Sequence, residues 1–466
     1  MKRALIIIAI ILLIAAVVGI VLLGALMLNN YAETGSVFGS GFDLSGSFWE
    51  NIMGDDVIDG ISTSPRPSET DGKVTEPSPD HTDDDDIYFE DDEETSINYD
   101  EMFKFNYCGD GNVEVSIKKY YSAEEIVIPS TYDGKTVFRI AQDAFLNRSE
   151  IKKVVLPDTI KSICANAFSG CTSLSEIVIP DGVERIEQGA FEGCSSLKSI
   201  NFPSSVALIN DRAFKGCTSL TSVILPPKLY DLDASAFEGC TSLSYVEIYD
   251  VHSFDANVFS GCTALETVKI CGNNIGMVRD SQFGLDVPVK NVIFADGLTR
   301  ISAELCKNFT NLRQVKLPDS VVEIGESAFF NCQNLETIEF SQNLTTIERF
   351  AFGSCSNLRS VTIPDSVKVI DESAFASCSS LSEVNFGKNV EILRNTTFFS
   401  CSSLKKIHLY SNLRSIESSA FYGCENIEIV YDGSAAEWNA ITKATDWAVG
   451  VGYYQILCSD TTIAPN

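Results

Sequence analysis

Short alternations of apolar and polar residues recur along this chain at a fixed interval, and each is closed by the same turn. In residues 167–186, Ile177 and Ile179 alternate with Glu176 and Val178, the period-two pattern of a short strand. Pro180 ends that strand because it has no N–H to give to a ladder. Val183 and Ile186 follow on a second short extended piece, and a Gly170-Cys171-Thr172-Ser173 turn lies between Phe168 and Leu174. Aligned on the aromatic, the copies fall at Phe145, Phe168, Phe191, Phe214, Phe237, Phe259, Phe283, Cys306, Phe329, Phe352, Phe375, Phe398 and Phe421. Every step is 23 residues except one of 22 and one of 24 on either side of Phe259. A constant short period predicts a solenoid in which each unit buries its apolar face against its neighbours. The expected fold is a right-handed superhelical rod of about 13 repeats, mostly β with short helical turns. Such a fold offers a long surface rather than a catalytic cleft.

The recurring Ala-Phe-x-Gly-Cys-x-Ser-Leu-x-x-Val-x-Ile-Pro-x-x-Val-x-x-Ile pattern resembles the leucine-rich repeats of the BspA-like class of cell-surface proteins. The resemblance covers roughly residues 103–458 and reaches the flanks. Residues 126–140 look like the opening coil of that class, and residues 430–441 look like its closing segment, with Trp438 over the exposed end of the core. The resemblance implies adhesion or ligand capture, with extracellular matrix proteins or other cells as partners. The fold alone does not name the ligand.

Two segments precede the repeats. Residues 4–28 hold no charge, and 25 helical residues reach about 37 Å, enough to cross a hydrocarbon core of about 30 Å with some tilt. A cleavable signal has a shorter apolar run, so residues 1–28 are expected to be an uncleaved membrane anchor. Lys2 and Arg3 place its amino terminus in the cytoplasm and the rest of the chain outside. Residues 29–101 carry 21 Asp/Glu against Arg66 and Lys73, which predicts a disordered, acidic linker. Phe38, Phe42, Phe48 and Trp49 interrupt it with apolar rings among Gly and Ser. The expected order continues with a cap at 102–144, repeats at 145–428, and a closing cap and tail at 429–466. The formal charge of −30 leaves no basic footprint for a nucleic acid.

Fifteen cysteines outside the cytoplasm would ordinarily suggest disulfides. Ten of them (Cys171, Cys194, Cys217, Cys240, Cys262, Cys332, Cys355, Cys378, Cys401 and Cys424) instead occupy one repeat position. Equivalent side chains in stacked coils point the same way about 5 Å apart, whereas a disulfide wants Cβ atoms near 3.8 Å. The spacing therefore predicts a buried ladder of free thiols that cap turn carbonyls. Arg148, Asp286 and Phe309 take the same slot, and at Cys306/Phe309 the sulfur and the ring have exchanged places.

No chemistry-bearing motif stands out. The three histidines are His81, His252 and His408, and no hydrolase elbow, phosphate loop or zinc spacing occurs. No enzyme activity, cofactor or metal is expected. The face beside the inward strand residues is mixed and mostly small and polar, suited to an extended protein segment or a glycan. Its irregular centre loses the strand-ending proline and carries Tyr245, Tyr249, His252, Lys269, Asn273 and Asn274, the first candidate binding patch. Lys406, His408 and Tyr410 form the second. The sequence thus reads as a membrane-anchored surface protein for adhesion or for protein or glycan binding. The alternative is a non-catalytic scaffold of the cell envelope.

Overall fold

The computed structural model describes residues 98–464 except 110, 278–282, 285 and 286. The anchor expected at 1–28 and the linker as far as residue 97 lie outside the described residues. The last linker residues are described, and there Tyr99–Met102 forms one helical turn capped by the Asn98 side chain. Among the described residues no helix is long and apolar enough to cross a membrane.

Residues 98–464 form a β-solenoid with two parallel ladders, one for each extended piece of the repeat. The first ladder takes the strand that ends at proline, as where Ser222–Ile224, Tyr245–Ile248, Thr267–Ile270 and Asn291–Phe294 pair in register. The second takes the short piece that follows, as where Ser162–Ile163, Arg185–Ile186, Leu208–Ile209 and Asp231–Leu232 pair. The alternation in the sequence sets the faces. Ile177 and Ile179 are buried while Val178 between them is 67% exposed. Among the described residues, antiparallel pairs occur only near the ends, where Phe103–Tyr107 meets Val113–Ile117, Thr131–Tyr132 meets Lys135–Ile140, and Tyr453–Leu457 meets Thr462–Ile463. Such pairs cover edges that would otherwise continue to add strands.

The corner around each Ala-Phe, where short helical turns were expected, is a single turn and not a regular helix. Two residues four apart take left-handed backbone, as in Asn166 and Gly170 (φ 53° and 73°) or Arg212 and Gly216 (φ 56° and 72°). A left-handed residue stops helical propagation, so each corner closes after one turn. Its N–H groups alternate: Phe168 N and Gly170 N bond forward to the Ala190 and Glu192 carbonyls at 2.7 Å, and Ser169 N and Cys171 N bond back to the Asn166 and Phe168 carbonyls at 3.1 Å.

Inside, the aromatic markers stack with ring centroids 5.0–5.8 Å apart and planes within 4–25°. The thiols run beside them. Every cysteine of the described residues is free. All ten ladder thiols donate to the carbonyl at the marker position of the preceding coil at 3.1–3.3 Å, as Cys217 Sγ does to Phe191 and Cys332 Sγ to Cys306. Burial pushes up the thiols of Cys194, Cys332, Cys355, Cys378 and Cys401, and those of Cys171, Cys217 and Cys424 to about 12. Arg148 takes the slot by turning its guanidinium to the Lys118 carbonyl at 2.7 Å and to Glu150 at 3.5 Å. Asp286 lies outside the described residues. At the far end Trp438 is buried edge-on to Tyr431 (5.3 Å) and Trp447 (6.1 Å), and Trp447 closes over Phe421 at 6.2 Å.

Candidate recognition site

Loss of the strand-ending proline has a direct structural result. Tyr249 and Cys271 stand where other repeats have Pro180, Pro226 or Pro318, and they keep an N–H. Cys271 N donates to the Ile248 carbonyl at 2.7 Å, and the two strands extend to four residues, against two or three where proline follows. Period-two geometry then sends Tyr245, Glu247 and Tyr249 to the same outer face, and the register sets Lys269 beside Glu247.

The four side chains converge on one carboxylate. Glu247 Oε2 accepts from the Tyr245 hydroxyl at 3.0 Å, and Oε1 accepts from the Tyr249 hydroxyl at 2.7 Å and from Lys269 Nζ at 3.1 Å. Cys271 Sγ adds a fourth contact to Oε1 at 3.4 Å. Although it faces outward, Glu247 is only 8% exposed, because the two rings and the lysine stem cover it. Burial works against its charge, but the donors from Tyr249, Lys269, Tyr245 and Cys271 outweigh it and hold the carboxyl below its ordinary value. The hydrogen bond to Glu247 pushes the Tyr249 phenol up to about 12 and also raises Lys269. Desolvation first, and then Glu247, pushes the Cys271 thiol up to about 11, which disfavours the reactive thiolate. The arrangement is a locked aromatic patch. Gly272 helps to fix it, since a Cβ there would stand 2.4 Å from the Tyr249–Asp250 peptide.

The remaining candidates of the first patch lie elsewhere. His252 belongs to Val251–Phe254 on the second ladder and stacks on Tyr230 at 4.4 Å and 18°. The chain turns the corner between Tyr249 and Val251, so neighbours in sequence end on different ladders. Asn273 Oδ1 accepts from Thr299 N, Thr299 Oγ1 and Arg300 N at 2.6, 3.0 and 3.2 Å. Asn274 N donates to Asp250 Oδ1 at 2.8 Å. Both asparagines hold one coil to another. In the second patch, Lys406 and His408 alternate on the outer face of Lys406–Leu409, in register with Glu383 and Asn385, and Tyr410 stands in the proline slot. The patch is therefore the same i, i+2, i+4 arrangement on a later coil.

Glu247, Cys271 and Tyr230 were not among the sequence candidates. Glu247 carried a usable signal, a carboxylate two residues from a tyrosine on each side and 22 residues from a lysine. Tyr230 carried the same kind of signal, since His252 follows it by 22 residues, the step between these two coils.

The family model described as BspA type Leucine rich repeat region, a unit of six copies, matches residues 118–216, 138–266, 189–308 and 299–428, more than half of the chain. Among solved structures, a leucine-rich repeat protein from Bacteroides ovatus is similar at 25% identity and a TM-score of 0.50, over 76% of this chain and 98% of that one. A leucine rich cell surface protein from Faecalibacterium prausnitzii is 27% identical with a TM-score of 0.32, over 73% and 96% of the two chains. The pneumococcal vaccine antigen PcpA is 18% identical with a TM-score of 0.39, over 77% and 97%. No curated protein sequence matches the chain.

Proposed function

Because the chain belongs to the family of BspA-type leucine-rich-repeat proteins, which are proteins of the cell surface, we propose that it captures an extracellular protein or glycan through the outer face of its first ladder. Tyr245 and Tyr249 are the anchors of that face. The observation that carries this reading is the pinning of both hydroxyls on one buried carboxylate. Rings held in place before contact lose little freedom on binding, and tyrosine supplies a large contact area with a polar rim. Lys269 keeps one charge beside them, partly offset by Glu247. Residues 4–28 would hold the protein in the membrane, with residues 29–101 as the spacer to the repeats.

The test uses the full chain, immobilised and screened against matrix proteins, glycans and purified cell wall. Tyr245→Ala/Tyr249→Ala and His252→Ala are compared separately, since the two groups sit on different ladders. Saturable binding that the double variant loses and His252→Ala keeps supports the reading. Binding equally strong in the double variant removes these anchors. Failure to retain any of the three classes removes ligand capture and leaves the envelope scaffold.

A further inference from the structure

The first ladder is interrupted immediately beyond the Glu247 cluster. Asn291–Phe294 closes one four-stranded sheet, and Gln314–Lys316 opens the next with Thr337–Glu339, so no ladder joins the two strands among the described residues. The inward slot that holds Leu225, Ile248, Ile270 and Leu317 in other coils holds Phe294 here. Its ring wedges edge-on against Phe329 at 6.2 Å. Phe340 fills the same slot at the next break, against Phe352 at 5.7 Å. Phe386 fits without a break, so a phenylalanine favours the gap without forcing it.

Between the strands lies a cleft of about 680 Å³, within the range of roughly 300–1,000 Å³ common for ligand sites. Its floor is core that solvent reaches. Val292 is half-buried, whereas Val246, Val268 and Val315 at the same position are 0–3% exposed. Its rims carry the exposed side-chain amides of Asn291 and Gln314, one on each strand. Lys316 and Glu339 pair at 3.0 Å across the far side and offset each other's charge.

We propose that this cleft binds an extended, uncharged protein segment by taking one aliphatic side chain onto Val292 and Ile293 between the Asn291 and Gln314 amides. Each side-chain amide offers both a donor and an acceptor, the complement of a peptide bond. The open strand edges offer more of the same groups. An aliphatic residue covers the apolar floor and removes it from water. A glycan fits less well, because no exposed aromatic ring lines the cleft for a sugar to stack upon. A charged segment gains little beside the offset Lys316–Glu339 pair. The proposal rests on the reading of this face as a recognition surface and names the class of partner.

The test presents a phage-displayed library of random linear peptides to the full chain, and then measures synthetic copies of the enriched peptides. The variants are Asn291→Ala/Gln314→Ala and Ile293→Asp, all at exposed positions, with Lys104→Ala in the opening cap as a distant control and circular dichroism to show that each folds. Enriched peptides should share an aliphatic residue, lose roughly tenfold or more in affinity on the cleft variants, and bind the control unchanged. No enrichment, or enrichment indifferent to the cleft variants, overturns the proposal. The matrix, glycan and cell-wall panel is scored on the same variants. Panel binding that survives them while no peptide enriches removes the cleft and leaves the wider recognition reading standing.

Discussion

The Tyr249 hydroxyl donates to Glu247 Oε1 at 2.7 Å because Tyr249, the residue after the strand Tyr245–Ile248, stands two apart from Glu247 and points the same way. Tyr245 does the same from the other side, so one carboxylate serves three positions of a single strand's outer face. Glu247→Ala leaves the two phenols and Lys269 without their shared acceptor. Chemical denaturation should show a loss of about 1–3 kcal/mol, with Glu247→Gln losing less because it keeps an acceptor oxygen. Equal losses for the two variants would mean that the retained acceptor oxygen contributes nothing and that the charge carries the whole effect.

Acidification should act on the same cluster. The Glu247 carboxyl is held below its ordinary 4.5 in the folded chain. Its contribution to stability is therefore complete above 4.5 and is lost as pH falls through the lower folded value. Tyr249 works in the opposite direction. Its phenol is raised from 10.0 to about 12, so its contribution is complete below 10.0 and is lost as pH rises toward 12. The difference in ultraviolet phenolate absorbance between the native chain and Tyr249→Phe should titrate near 12. A midpoint near the ordinary tyrosine value would rule out the hydrogen bond.

The thiols divide into two classes. Cys108, Cys271 and Cys458 are half-buried, and the other twelve of the fifteen are buried. Alkylation of the native chain without reductant should label the three first, and unfolding should release all fifteen. The order follows exposure. A native mass showing many labels, or a denatured mass showing few, would contradict the buried and reduced ladder. Replacing Cys217 by alanine should cost about 1–2 kcal/mol, the sum of a weak hydrogen bond and a small void.

The repeat was legible because identical residues stack. One phenylalanine position predicts the aromatic column, one cysteine position predicts the thiol column, and Pro180 marks where a strand stops. The Tyr245, Tyr249 and Lys269 patch was legible for the same reason, as a departure from that period. What the sequence hid depends on the path of the backbone around corners. His252 is three residues from Tyr249 and yet lies on the other ladder. The turns looked helical because their Ala-Phe cores carry no helix breaker in many copies. Left-handed residues such as Phe350 (φ 53°) and Thr396 (φ 54°) have no compositional mark of their own. The gap beside Asn291–Phe294 coincides with an enlarged inward side chain, but Phe386 in the same slot opens none, so that residue alone does not mark a gap.

Cys306 and Phe309 offer the sharpest test of how the column specifies the fold. Each is buried, Cys306 at the ring position and Phe309 at the sulfur position. The exchange turns Phe309 edge-on to Phe283, at 5.0 Å and 78°, where other neighbours in the column lie nearly parallel. Cys306→Phe alone adds a ring to a site already filled by Phe309 and should cost about 1–3 kcal/mol through overpacking. Phe309→Cys alone leaves a void and should cost about 2–4 kcal/mol. Together they restore the common order, so the double variant should lose much less than the sum of the single losses, with a coupling of about 1–3 kcal/mol. Denaturant midpoints for the four chains measure that coupling. Simple additivity would mean that the two positions do not share one volume, and that the exchange is two independent substitutions instead of one packing solution.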